Sequence, residues 1–214
     1  MEAVASSRLN VVAHPLVLDC LRRLRDVTTQ TEAFRQASRL LTQLILFEAT
    51  RDLPVREITI ATPLETTPAW RLDTHMVLVP VLRSGLAMLE TATTMFPAAR
   101  VGFIGLERDE ATAIALGYYR KLPRDIDGST VMILEPMLAT GGSACATLDI
   151  VAEAGVTDVR LVCAVAAPEG IASVAARHPN CAIYTAAIDR GLNARKYILP
   201  GLGDFGDRFF GTTA

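Results

Sequence analysis

Apolar residues gather in short unbroken runs separated by stretches of helical periodicity. Val131, Met132, Ile133 and Leu134 form one run, Met76 to Leu82 (MVLVPVL) a second and Val159 to Ala166 a third. Runs of this length without polar alternation predict strands buried on both faces of a parallel sheet. Arg100 to Leu106 and Ala182 to Ala187 read as two further strands. Ala144, Leu148, Val151 and Ala154 recur at helical spacing, and Gly155 is placed to close that helix. Leu86, Met88 and Leu89 begin another helix, and Pro168-Glu169-Gly170 opens one through Ala176. Strand and helix thus alternate from residue 76 to 187. That order calls for right-handed crossovers and an α/β fold: a mainly parallel central sheet with helices on both faces.

The flanks read differently. His14-Pro15-Leu16 leads into a helix with Leu16, Leu21 and Leu24 inward and Arg22, Arg23 and Arg25 on the wet side. Thr29-x-x-Glu32 has the form of a capping box before Ala33, Phe34, Ala37, Leu40, Leu41, Leu44 and Ile45. Residues 1–50 are therefore expected to form an N-terminal helical arm, packed on the core or on a second subunit, with residues 1–10 loose. Arg56 to Ala61 alternates as a strand, Thr62 to Pro68 is a turn-rich loop, and Arg71 to Asp73 returns as a hairpin partner. Glu107 to Glu110 and the irregular stretch up to Tyr118-Tyr119-Arg120 form a long connection, a candidate lid. Residues 188–214 contain Gly201-x-Gly203-x-x-Gly206, a dinucleotide fingerprint in letters only. Pro200 precedes it where a strand should, and no βαβ unit follows. A glycine-rich flap whose backbone reads a small planar base fits better, anchored by Tyr197, Ile198, Phe205, Phe209 and Phe210. No repeat, low-complexity run or linker divides residues 1–214, so one domain is expected.

Charge narrows the classes. Twenty-one basic residues against 23 acidic ones give a net charge of −2. That balance speaks against nucleic acid or an anionic membrane as partner. No apolar run has membrane-spanning length and the first residues lack a signal-peptide pattern, so a cytoplasmic location is expected. Cys20, Cys145, Cys163 and Cys181 lack metal-ligand spacing and read as buried thiols; His14, His75 and His178 are scattered and read as structural. No protein metal-ligand set is expected.

The chemistry concentrates after the run at 131–134. Glu135-Pro136 places a carboxylate at the strand's carboxyl edge, and Ala139-Thr140-Gly141-Gly142-Ser143 makes a glycine-rich turn into the next helix. The N–H groups of Gly141, Gly142 and Ser143 then open a helix N-terminus, where unsatisfied donors and the dipole attract phosphate. Thr140 and Ser143 add hydroxyls. A carboxylate beside a phosphate site is repulsive unless it holds something else, a sugar hydroxyl or a metal. The pairing therefore suggests a phosphorylated sugar. Arg83-Ser84-Gly85, between the run at 76–82 and a helix, has the look of a second phosphate site where ligands collect in open α/β sheets.

Glu-Pro-Met-Leu-Ala-Thr-Gly-Gly-Ser closely resembles the phosphoribosyl-pyrophosphate loop of the phosphoribosyltransferases, in its uracil phosphoribosyltransferase version. Ala-Ile-Asp-x-Gly-Leu-Asn and Tyr-Ile-x-Pro-Gly-Leu-Gly-Asp-x-Gly-Asp resemble that family's uracil-binding end. Val165–Ile171, His14–Leu16 and Phe47–Thr50 also match, in the family's order. The resemblance implies a type I phosphoribosyltransferase fold with a C-terminal base-binding flap, 188–214. It implies transfer of 5-phosphoribose from phosphoribosyl pyrophosphate to uracil, giving UMP and pyrophosphate. Arg83 and Arg108 would hold phosphate groups. Glu135, Pro136, Met137, Leu138, Ala139, Thr140, Gly141, Gly142 and Ser143 would hold the ribose and its 5-phosphate. Ile198, Gly203, Asp204 and Phe205 would hold uracil, with Asp204 also near the sugar-pyrophosphate. Arg108, Glu135 and Asp204 are thus the expected catalytic residues. Mg²⁺ would ride with the pyrophosphate, GTP activates some members, and a homodimer or homotetramer is expected.

Three positions depart from the family's pattern. Glu135 stands where Asp is usual, which should displace the ribose contact; misplacement on an ångström scale costs about a hundredfold in rate. Ile114-Ala115-Leu116-Gly117 replaces the usual Glu-Pro-Val-Pro, and Arg195-Lys196 adds two positive charges beside the uracil segment. The first two keep open a weakly active, ligand-binding paralogue. A pyrimidine-responsive RNA-binding regulator is the other alternative, and the charge balance speaks against it.

Overall fold

The computed structural model describes residues 8–108 and 115–212. Thirteen strands and six helices run in the order β1 Leu9–Val11, α1 Pro15–Arg25, α2 Thr31–Ala49, β2 Val55–Ala61, β3 Thr66–Leu72, β4 Met76–Leu82, α3 Leu86–Met95, β5 Arg100–Val101, β6 Phe103–Arg108, β7 Ala115–Lys121, β8 Thr130–Leu134, β9 Met137–Leu138, α4 Gly142–Glu153, β10 Asp158–Ala166, α5 Pro168–Arg177, β11 Ala182–Ile188, β12 Gly191–Leu192, β13 Ile198–Leu199 and α6 Phe205–Phe210. The main sheet has the order β1-β11-β10-β8-β4-β6-β7, with β5 also on β4 and β9 also on β10. Every pairing in it is parallel except β6 with β7.

The unbroken apolar runs are explained by the two faces they serve. On β4, β8 and β10, Leu78, Met132, Leu134, Val162 and Ala164 face one buried layer. Val77, Val79, Val131, Ile133, Leu161 and Cys163 face the other. Helices α1, α2, α3 and α6 cover the first face through residues such as Leu24, Phe34, Ile45, Met88 and Phe205. Helices α4 and α5 cover the second through Leu148, Val151, Ile171 and Val174. The residues expected as a helical arm therefore lie on the core itself.

Several boundaries differ from the sequence reading. Leu9–Val11 is not loose: it forms the edge strand beside β11. Helix α2 takes Gln30 as N-cap with no side-chain cap bond, so the Thr29–Glu32 capping box does not form. Thr29 lies one residue too early, inside a turn whose amide bonds Asp26 O at 3.1 Å. Thr66–Pro68 belong to strand β3 rather than to a loop, because β2 and β3 pair along their full length from Val55–Leu72 to Ala61–Thr66. The strand expected at 100–106 is divided at Gly102, whose N–H bonds Leu78 O at 2.9 Å. The described part of the stretch before Tyr118 is regular: β7 pairs antiparallel with β6, with a register shift at Gly105/Leu106. The expected buried thiols are found, all four cysteines being free and buried. Burial pushes Cys163 and Cys181 up to about 12, which leaves them unreactive thiols.

Candidate active site

A cavity of about 610 Å³ opens at the carboxyl ends of β4 and β8. In an open α/β sheet this is where ligands sit. Its wall is built from four parts distant in sequence: Val81, Leu82, Arg83 and Ser84 at the end of β4, Leu106 and Tyr118 on the β6–β7 hairpin, Glu135 and Met137–Ser143 after β8, and Lys196, Asp204 and Gly206 from the tail. Most of the sequence-predicted residues are thus brought together.

The loop after β8 is shaped by its backbone. Gly141 is the N-cap of α4 with φ of +82° and no side-chain cap bond. A methyl there would lie 2.9 Å from Ser173 Cβ and 3.0 Å from Gly170 O, so only glycine fits both the left-handed conformation and the space. Helix α4 therefore opens on the cavity; its N-cap offers no side-chain bond, and of its first-turn donors Gly142 N meets Thr140 Oγ1 at 3.3 Å. That is the electrostatic arrangement an anion needs. Pro136 does not line the cavity. Its carbonyl accepts from Ala164 N at 2.8 Å and Val165 N at 3.2 Å, which ties the loop to β10.

Glu135 is the unusual group. It is only 6% exposed. Its Oε1 accepts a close hydrogen bond from the Ser143 hydroxyl, and its Oε2 has no partner in the protein. Burial raises its pKa from 4.5 to about 7, with the Ser143 bond pulling the other way. A buried carboxylate oxygen without a donor is costly unless a ligand supplies one. Sugar hydroxyls are such donors.

The cationic side is Arg83, 70% exposed in its side chain and 3.9 Å from Asp207 Oδ1. At that distance and exposure the pairing is weak and the guanidinium is free to meet phosphate. The side chain of Arg108, expected beside it, lies outside the described residues, as does Ile114. Lys196 adds a cation to the cavity. It has φ of +65°, the one non-glycine residue with positive φ among those described.

The tail forms a compact unit. Strands β12 and β13 pair antiparallel, and Asp204 caps α6 by accepting from Asp207 N at 2.9 Å. Ile198 and Phe205 are 5% and 2% exposed, so their side chains are core. Asp204 lines the cavity; Ile198, Gly203 and Phe205 do not. Helix α5 touches both halves of the site. Gly170 packs under the Leu138 and Ala139 carbonyls, and Glu169 Oε1 accepts from Leu192 N at 3.1 Å.

Sequence reasoning missed Leu82, Leu106 and Gly206 as lining residues, and gave Tyr118 and Lys196 no role in the cavity. For Tyr118 a signal existed: its ring lies where a methyl on Gly105 would be, so a glycine inside a strand marked a close approach.

A glycine-rich helix N-terminus, an acid at the strand end and cations on the facing wall, set on this sheet, define a phosphoribosyltransferase of the type I class. The fold agrees with a solved hypoxanthine phosphoribosyltransferase from Trypanosoma cruzi, 15% identical with a TM-score of 0.50 over 74% of this chain and 75% of that one. The profile of the uracil phosphoribosyltransferase family matches residues 11–212, and the chain belongs to that family. It is 47% identical over 203 residues to the uracil phosphoribosyltransferase of Dictyoglomus turgidum, covering 94% of this chain and 98% of that one. A solved structure of a protein from Aquifex aeolicus superimposes with a TM-score of 0.91 at 34% identity, covering 96% of this chain and 99% of that one.

Proposed function

We propose that the protein transfers 5-phosphoribose from phosphoribosyl pyrophosphate to uracil, releasing pyrophosphate and forming UMP in pyrimidine salvage. The observation that carries this reading is the convergence, in one cavity, of the α4 N-terminus, the unpartnered Glu135 oxygen and Arg83. Thr140–Ser143 bind the 5-phosphate. Ionised Glu135 accepts from the ribose hydroxyls. Arg83, with Arg108, neutralises the leaving pyrophosphate, and Asp204 faces the sugar-pyrophosphate. Backbone groups of Ile198, Gly203 and Phe205 orient uracil. The C–O bond to pyrophosphate breaks as the ribose carbon gains oxocarbenium character, and the uracil nitrogen forms the new bond as its proton leaves. Catalysis is then positioning and electrostatics, with no protein nucleophile.

Among the described residues no group of three or more His, Cys, Asp and Glu is placed to hold a metal ion. The donors that do line the cavity suit the oxygens of a pyrophosphate, and Mg²⁺, were it bound with that substrate, would supply charge neutralisation of the leaving group. The same reading carries GTP as an activator, assembly as a homodimer or homotetramer, and a cytoplasmic location. No helix among the described residues is long and apolar enough to cross a membrane.

One observation favours a second reading, a ligand-binding relative of low turnover: Glu135 occupies the Ser143 hydroxyl that the 5-phosphate needs. UMP formation from uracil and phosphoribosyl pyrophosphate with Mg²⁺, with and without GTP, in the natural protein and Glu135→Asp, separates the two. Turnover in the natural protein supports the enzyme. Turnover only after Asp is restored supports the second reading, and none in either overturns the enzyme reading. Sedimentation of the same samples tests the assembly.

A further inference from the structure

Between the two backbone segments assigned to uracil, Ile198 and Gly203–Phe205, lies Gly201. Its surroundings are unusually determined. The Asp189 carboxylate accepts from Gly201 N–H at 2.8 Å through Oδ2. The Arg25 guanidinium donates to Gly201 O at 2.9 Å. Arg25 and Asp189 also pair with each other in a fork, Nη1 to Oδ2 at 2.9 Å and Nη2 to Oδ1 at 2.7 Å. One ion pair therefore grips both polar groups of a single peptide residue. Asp189 is 5% and Arg25 25% exposed in the side chain, so the grip is shielded from water. Gly201 has φ of +60°, and a methyl there would run into the Ile198 carbonyl, so the turn from 198 to 201 is closed as tightly as the chain permits.

We infer that Arg25 and Asp189 are positioning residues for the nucleobase: they hold the turn that sets the distance between Ile198 and Gly203. This rests on the uracil reading above. Neither side chain lines the cavity, and both are engaged with each other and with Gly201. The two come from separate elements, Arg25 from the last turn of α1 and Asp189 from the residue after β11. The turn is supported next to Gly201 as well. Arg208 Nη1 donates to Leu202 O at 2.8 Å and its Nη2 to Asp26 O at 2.6 Å, binding the same turn to the end of α1. The base site is thereby referred to the helical layer, whereas the phosphate loop is referred to β10 and α5. Helix α5 is the element common to both, through Glu169 on Leu192 N and Gly170 beneath the phosphate loop.

A lysine at position 25 keeps the charge but loses the planar fork that reaches carboxylate and carbonyl together. Arg25→Lys, Arg25→Ala and Asp189→Asn are to be compared with the natural protein for KM of each substrate and for amide exchange at residues 198–204. The expected result is a rise in KM for uracil of about tenfold or more in Arg25→Ala. Arg25→Lys should be intermediate and KM for phosphoribosyl pyrophosphate should stay within about twofold. Exchange at 198–204 should quicken while that at 139–145 does not. The double variant should be little worse than the worse single one, because both changes release one grip. Equal rises in both KM values, or a lowered Tm with unchanged KM and unchanged exchange, would overturn the inference. Natural protein inactive toward uracil removes the base assignment, while the exchange arm still decides whether the pair holds the turn.

Discussion

Glu135 shows what one methylene does. The longer carboxylate was expected to shift the ribose contact; in the fold it reaches Ser143 and leaves one oxygen without a donor. Its folded-state pKa of about 7 stands above the ordinary 4.5. The folded chain thus keeps a proton across an interval in which the unfolded chain has lost it. The stability tied to the neutral form is complete below about pH 4.5 and is lost as pH rises through about 7, a change of about 3 kcal/mol. Urea melts at closely spaced pH values should show that decline, and Glu135→Gln should flatten it. In the proposed role the ionised form accepts from ribose, so kcat/KM for phosphoribosyl pyrophosphate should climb through about pH 7. In Glu135→Asp the climb should move to lower pH. A profile unchanged by the substitution would separate Glu135 from the reaction.

Element by element, the sequence was most informative where the cause of a structure is local. The run 131–134, the acid after it and the glycine turn are contiguous, so the strand, the strand end and the helix opening were all legible. Gly141→Ala should cost about 1–3 kcal/mol, from left-handed strain and its contacts with α5, and raise KM for phosphoribosyl pyrophosphate; thermal melts and initial rates check both. The Arg25–Asp189–Gly201 contact was not legible, because its members lie up to 176 positions apart and each alone is an ordinary polar residue. The capping box at Thr29 failed for a related reason: the motif was present, but a turn from Asp26 determined where α2 begins. Arg160 is another non-local tie. It donates to Ala49 O at 2.6 Å and to Asp52 and Asp158, fastening the end of α2 to β10. Both acids are largely in water, so the loss in Arg160→Met is that of the buried carbonyl's partner, about 1–3 kcal/mol. Denaturation should report it with KM for both substrates unchanged.

For the whole molecule, the sheet separates two apolar layers and the cavity lies at its carboxyl edge, where segments from both meet. The α/β class and the strand order's parallel character were readable from periodicity and resemblance. The helical residues expected as an arm were not placed by sequence, since an amphipathic helix shows that it has a partner without saying which. A ligand that bridges the segments should stabilise the folded state by about 2.7 kcal/mol at a hundredfold excess over its Kd. Phosphoribosyl pyrophosphate with Mg²⁺ should therefore raise Tm in differential scanning, and Arg83→Ala should shrink that rise at the same concentration.

Helix α5 lends one half-turn to both substrates, Gly170 beneath the Leu138 and Ala139 carbonyls and Glu169 on the Leu192 amide. This bears on how the protein can be recombined. A crossover between Leu192 and Glu169 parts the flap from its acid, and one just before Pro168 parts the helix from the loop it supports. A block from Met137 through Phe210 keeps α5 with the loop and the flap strand it supports, but leaves Arg25, Arg83 and Glu135 in the host. Chimeras joined inside it should inherit neither specificity intact, and exchange of the entire block should carry both only into a host that supplies the matching arginines and strand-end acid.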